Sequence, residues 1–268
     1  MGIVSAEDDA IKSLGEAGLL DVLRWAAPAA FAATDQIFDE DAGHDQAVVG
    51  TLNYKHLQDH LDRATSNGRF SLGDEVEGVG GDVLERGVPP QVFRSMPVLA
   101  ADAVTRSNYR RSPGWAVGGF RVLLQSFTFG GIDDIKWGQR SDAKRQVASQ
   151  HFVDDGALFD DEDFGLESID GIPDDDDFAG VTLVAAHAFN PTTKQYELYL
   201  GQSKNPANSG ERCWHWCVKL ISGGTPVGGF GTVTPPAQPM GGASTDVEDV
   251  PVRIKRPRAD EGLGSTNG

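Results

Sequence analysis

Cys213, His215 and Cys217 alternate along one apolar run near the C-terminal third of the chain. Thiolate and imidazole ligands suit zinc. On an extended strand all three would project from one face, with Trp214, Trp216 and Val218 on the other. The outer two Cα atoms would then lie roughly 13 Å apart, too far for a disulfide and too wide for one tetrahedral ion. The spacing therefore predicts a buried strand with small residues facing the core, and a metal site only as the lesser reading. His56 and His60 stand four apart in His56-Leu-Gln-Asp-His60, on one face of a helix. Asp59 replaces the Glu that zinc-protease helices need, so half-buried histidines beside an apolar stripe are expected.

A second set could cut phosphodiesters. Gln202 and Lys204 close a strand that begins near Tyr196 and carries Glu197, and Asp177 precedes the strand before it. Acids beside a Gln-x-Lys pair can hold a divalent ion and activate water. The arrangement resembles a degenerate restriction-endonuclease-like core. That resemblance implies a metal-dependent nuclease built on Asp177, Glu197, Gln202 and Lys204, with Mg or Mn as cofactor. It departs from the pattern at Thr182, where the preceding strand should supply an Asp. No Walker loop, dinucleotide fingerprint or nucleophile elbow accompanies it.

The charge pattern supports a different chemistry. Twelve carboxylates and no Lys or Arg fall within residues 153–177, whereas residues 104–151 carry eight bases against three acids. Arg106, Tyr109, Arg110, Arg111, Trp137, Arg140, Lys144 and Arg145 mix cations with rings. Cations grip phosphates and rings stack on bases, the mixture a single-stranded or structured nucleic acid would want. Leu158, Phe159, Phe164 and Leu166 are threaded between the acids, a composition suited to docking on a basic, partly apolar surface. The principal expectation is a non-enzymatic interaction or regulatory protein without a cofactor. Its basic aromatic surface would take a polyanion or a partner protein. An acidic arm of Asp160, Asp161, Glu162, Asp163 and Phe164 would compete for that surface. An EF-hand starting at Asp160 fails, because Phe164 and Gly171 fall where ligands belong. The run Arg253-Ile-Lys-Arg-Pro-Arg258 adds a basic patch near the C-terminus.

Composition narrows the field. A net charge of −17 over 268 residues disfavours nonspecific binding to nucleic acid or to an anionic membrane. Two cysteines are too few for a disulfide scaffold, and no apolar run approaches the length of a bilayer span. No secretory signal opens the chain, so a cytoplasmic protein is expected.

Several elements must position these groups. Apolar spacing predicts a helix over 6–33, weakened at Gly15 and Gly18 and broken or kinked at Pro28. A second helix is predicted over 46–66 after a loop at 38–45. Residues 69–88 read as irregular, and 92–105 as a short helix or coil. Strands are predicted at 120–129, 181–189, 196–202 and 212–221, with a short helix over 142–152. The fold class is α+β: N-terminal helices packed with an antiparallel sheet from the C-terminal half. One domain is expected over 1–222, helical to 112 and sheet-rich from 113, with an acidic loop at 153–177. Gly, Pro and Ser dominate 223–268, which predicts a disordered tail.

Overall fold

A computed structural model of the chain describes residues 5–71, 81–150, 174–206 and 211–223. The acidic-arm positions Asp160, Asp161, Glu162, Asp163 and Phe164 lie outside the described residues, as does the tail after 223.

The first expected helix is two. α1 spans Ala6–Glu16, and its Ser5 N-cap accepts a hydrogen bond from the Asp8 amide. Glu7, Asp8 and Asp9 fill its first turn, where the helix dipole favours acids. Gly18, at φ 80°, ends that run and opens α2, Leu19–Ile37. Pro28 does not break α2. It removes one amide donor, but Arg24, four residues earlier, is on the exposed side where water can serve its carbonyl. Val22, Leu23, Ala26, Ala27, Ala30 and Phe31 are buried on the other side, enough to outweigh the ~3 kcal/mol that an interior proline costs. α3, Gln46–Ala64, starts on Asp45, whose carboxylate accepts from the Ala47 and Val48 amides. α4, Gly81–Glu85, and α5, Pro90–Arg94, are short.

Six strands follow: β1 Thr105–Arg106, β2 Gly114–Val117, β3 Phe120–Ser126, β4 Val181–Asn190, β5 Gln195–Ser203 and β6 Trp214–Gly223. They lie in sequence order across one sheet. Every neighbouring pair is antiparallel except β3 and β4, which run parallel. The wholly antiparallel sheet expected from the sequence is thus mostly antiparallel. Parallel neighbours need a long crossover, and the connection between Ser126 and Val181 provides it. It includes α6, Asp142–Val147, which is shorter than the helix predicted over 142–152.

The sheet is covered on both sides. Leu14, Leu23, Phe31, Leu57 and Leu61 of the helices pack on Val122, Leu124, Leu183, Ala185, Leu198 and Leu200. On the opposite face Leu123, Val184, Ala186 and Ala188 pack with Trp137, Val147, Ala148, Cys213 and Trp214. Burial on both faces explains why β4 reads as a nearly continuous apolar run. Among the described residues no helix is long and apolar enough to cross a membrane.

Candidate functional site

On the second face of the sheet, α6, two 3-10 turns (Ile132–Asp134 and Trp137–Gln139) and the facing ends of β5 and β6 border a cleft. Its volume is about 1140 Å³. Lys136, Arg145 and Arg212 line it together with Asp133, Asp134 and Glu211, so both signs of charge border one opening. Trp137 and Cys213 form its floor. The Trp137 indole N–H donates to the Cys213 carbonyl at 2.7 Å, and its ring meets Trp214 edge-on at 5.1 Å. Trp214 in turn donates to the Ile132 carbonyl at 3.0 Å. Burial raises the pKa of Cys213 and pushes Cys217 up to about 12, so neither is an activated thiolate.

The expected binding residues divide. Arg145 lines the cleft and pairs with Asp142, both well exposed. Arg140 is exposed at the end of the second 3-10 turn, with its amide on the Trp137 carbonyl. The Tyr109 hydroxyl donates to Gln146 of α6 at 2.6 Å, so it borders the same region. Trp137, however, is fully buried and cannot stack on a ligand as a free ring. Arg106 is buried as well: it pairs with buried Asp62 and lies over the Trp115 ring. Lys144 is buried beneath α6. Its long apolar stem and the aromatic packing around Arg106 drew these cations inward.

Arg110 and Arg111 occupy the centre of a two-residue turn closed by Tyr109 and Ser112, which exchange both backbone hydrogen bonds. Their φ angles are 45° and 62°, as a type I′ turn requires and as Asn-Gly would accept more easily. The described end of the acidic segment lies against this turn. The Arg111 amide donates to both Asp174 oxygens at 3.0 and 3.2 Å. The Ser107 hydroxyl donates to Asp175 at 2.7 Å, and the Asp175 amide donates to the Asn108 carbonyl at 2.8 Å. Arg121 donates to the Asp175 carbonyl at 2.7 Å, and its guanidinium sits between the Tyr109 and Phe178 rings. Ser107, Asn108, Arg121 and Phe178 were not among the expected binding residues, although Arg121 is one of the eight bases of the block. Phe178 just beyond a run of four aspartates was the one available signal.

The nuclease set is not assembled. Glu197 and Gln202 project from opposite faces of β5, some 17 Å apart along the strand. Glu197 is bonded to the Gly130 amide, the Tyr199 hydroxyl and Lys219. Burial is the largest single influence and would raise the pKa of its carboxyl, but Lys219, the Gly130 amide and Tyr199 together hold it below its usual range. Gln202 is buried under the helices, and Asp177 is exposed before β4. Lys204 leaves β5 with its amide on the Cys213 carbonyl.

The alternation expected around Cys213, His215 and Cys217 holds in part: Cys213 and Cys217 pack on the second face and Trp216 and Val218 on the helix-covered face, but Trp214 departs from it. The pairing of β5 with β6 steps from Trp214 to Trp216 and leaves out His215. That bulge shifts the phase of the strand, so Trp214 shares the second-face core with Cys213 and Cys217. His56 bonds Thr34, and His60 bonds the His56 carbonyl. No group of three potential metal ligands occurs among the described residues. No family model, curated protein or solved structure matches this chain.

Proposed function

We propose that this chain is a non-enzymatic interaction protein that docks an extended segment of a partner polypeptide in the cleft beside α6. The mixed charge of that cleft carries the reading. Three cations and three acids border it. A polypeptide can present both signs to such a rim, whereas a row of phosphates would meet Asp133, Asp134 and Glu211 as repulsion. Basic side chains that could have made a uniform phosphate track, those of Arg106, Arg121 and Lys144, are buried. The contacts of Asp174 and Asp175 with the Tyr109–Ser112 turn support the regulatory half of the proposal. The basic block already accepts an acidic peptide through both side chains and backbone. The upstream acids Asp160, Asp161, Glu162 and Asp163, with Phe164, compete with the partner for the same region.

Site-specific photo-crosslinking in the native host tests this. Gly138 lines the cleft and has no heavy atom within 4 Å of where a side chain would start, so it accepts a photoreactive residue. Thr51, exposed on α3, is the control. The expected result is a polypeptide adduct at 138, absent at 51 and lost when Lys136 and Arg212 are both changed to Glu. An adduct that nuclease digestion removes would replace the polypeptide with a nucleic acid. No adduct at 138 would end the reading.

A further inference from the structure

α6 is six residues long, and bonds from other elements hold it at a few points. Asn205 donates its amide to the Ala148 carbonyl at 2.8 Å and its side chain to Arg145 and Ser149. Tyr109 donates to Gln146. The inward face of α6 carries Ala143, Val147 and Lys144. Lys144 is only 4% exposed. No carboxylate pairs with it among the described residues.

Among the described residues, the charged groups near it offer no compensation. On α6 itself, Asp142 is engaged with Arg145. Arg140 follows the Trp137–Gln139 turn packed on α6, and it is a cation. His187, from β4, is the titratable group on the sheet that senses Lys144, and its proton adds like charge. The strand residues that form this core, Leu123, Val184, Ala186 and Ala188, are apolar, and Arg121, buried on β3 against the Tyr109 ring, is a further cation. An uncompensated ammonium is costly in such a place, while a neutral amine on a four-carbon stem is tolerated. The next two residues along the helix, Arg145 and Gln146, line the cleft.

We propose that α6 is a pH-responsive flap, closed when Lys144 is a neutral amine and swung outward, with Arg145 and Gln146, when Lys144 takes a proton. Its bearing on partner docking rests on the cleft reading, but the motion itself does not. Burial lowers Lys144 from its ordinary 10.5 to about 7. The closed form therefore disfavours the proton and the open form does not. Opening is rarest above the ordinary lysine range. It grows about tenfold for each pH unit as the pH falls toward 7, then levels off once both forms are protonated.

Hydrogen exchange followed by mass spectrometry, corrected for the intrinsic pH dependence of exchange, reads this directly. The Arg145 and Ala148 amides, bonded to the Ser141 and Lys144 carbonyls, report the helix. Their protection is expected to fall about tenfold per unit between roughly pH 9.5 and 7.5 and to flatten below 7. Lys144→Met should hold high protection throughout, and Lys144→Arg low protection throughout. A flat wild-type profile overturns the flap even if neither variant folds, and so does a Met variant that tracks the wild type. The expected profile together with no adduct at 138 keeps the flap and removes the docking reading. A flat profile with a polypeptide adduct does the reverse.

Discussion

His187 is the most constrained titratable residue of the helix-covered face. It is fully buried between the Phe31 and Tyr54 rings, and neither ring nitrogen has a partner among the described residues. Burial first, and Lys144 second, lower it to about 4. The folded chain thus holds the neutral imidazole, while the unfolded chain titrates near 6.5. Its contribution is complete above pH 6.5 and is lost as the pH falls through 4, about 3 kcal/mol in all. Urea unfolding at pH 7 and pH 4 should show that loss in the wild type and a clearly smaller one in His187→Met. An equal loss in both would assign the acid sensitivity elsewhere. At this scale the sequence showed which residues could carry charge but not which side of the surface they would occupy. Arg106 reads as a free cation until Asp62, far away in the chain, is packed against it.

Elements were legible where one physical signal dominated. α3 has an N-cap and a stripe. β4 and β5 have apolar runs around the turn at Asn190, whose side chain accepts from the Thr192 and Thr193 amides. β1 and β2 were not legible, because two and four residues are too short for any period to register. Pro28 misled, since the buried stripe around it outweighs its local cost, and the bulge at His215 takes Trp214 out of an alternation that a one-dimensional pattern must assume. The Tyr109–Ser112 turn was hidden for a related reason: Arg110-Arg111 carries none of the usual turn residues, and its left-handed backbone is held from outside by Asp174. That strain yields a prediction. Arg111→Gly keeps the amide that binds Asp174 and relieves a conformation costing an L-residue about 1–2 kcal/mol. Its urea midpoint should rise, and a fall would show that the Arg111 side chain outweighs the strain.

The whole molecule carries a net charge of −17, yet its electrostatics are decided by where the cations went. Arg106 is paired with Asp62, Arg121 is enclosed by Tyr109, Phe178 and the Asp175 carbonyl, and Lys144 is buried without a counterion among the described residues. Part of the basic block that stood out in the sequence, the side chains of Arg106, Arg121 and Lys144, is therefore interior, and the exposed Lys136 and Arg145 share a rim with Asp133, Asp134 and Glu211. Polyanion affinity scales with the number of phosphates neutralised, each adding roughly one unit to the salt dependence. Few exposed cations beside exposed acids leave little for that term. A fluorescently labelled single-stranded oligonucleotide of ~20 nucleotides should show no change in polarisation with micromolar protein at ~150 mM salt, and only a shallow salt dependence at ~20 mM. Tight binding with a steep salt slope would mean that the remaining arginines form a continuous track after all. The partner class would then shift from polypeptide to nucleic acid.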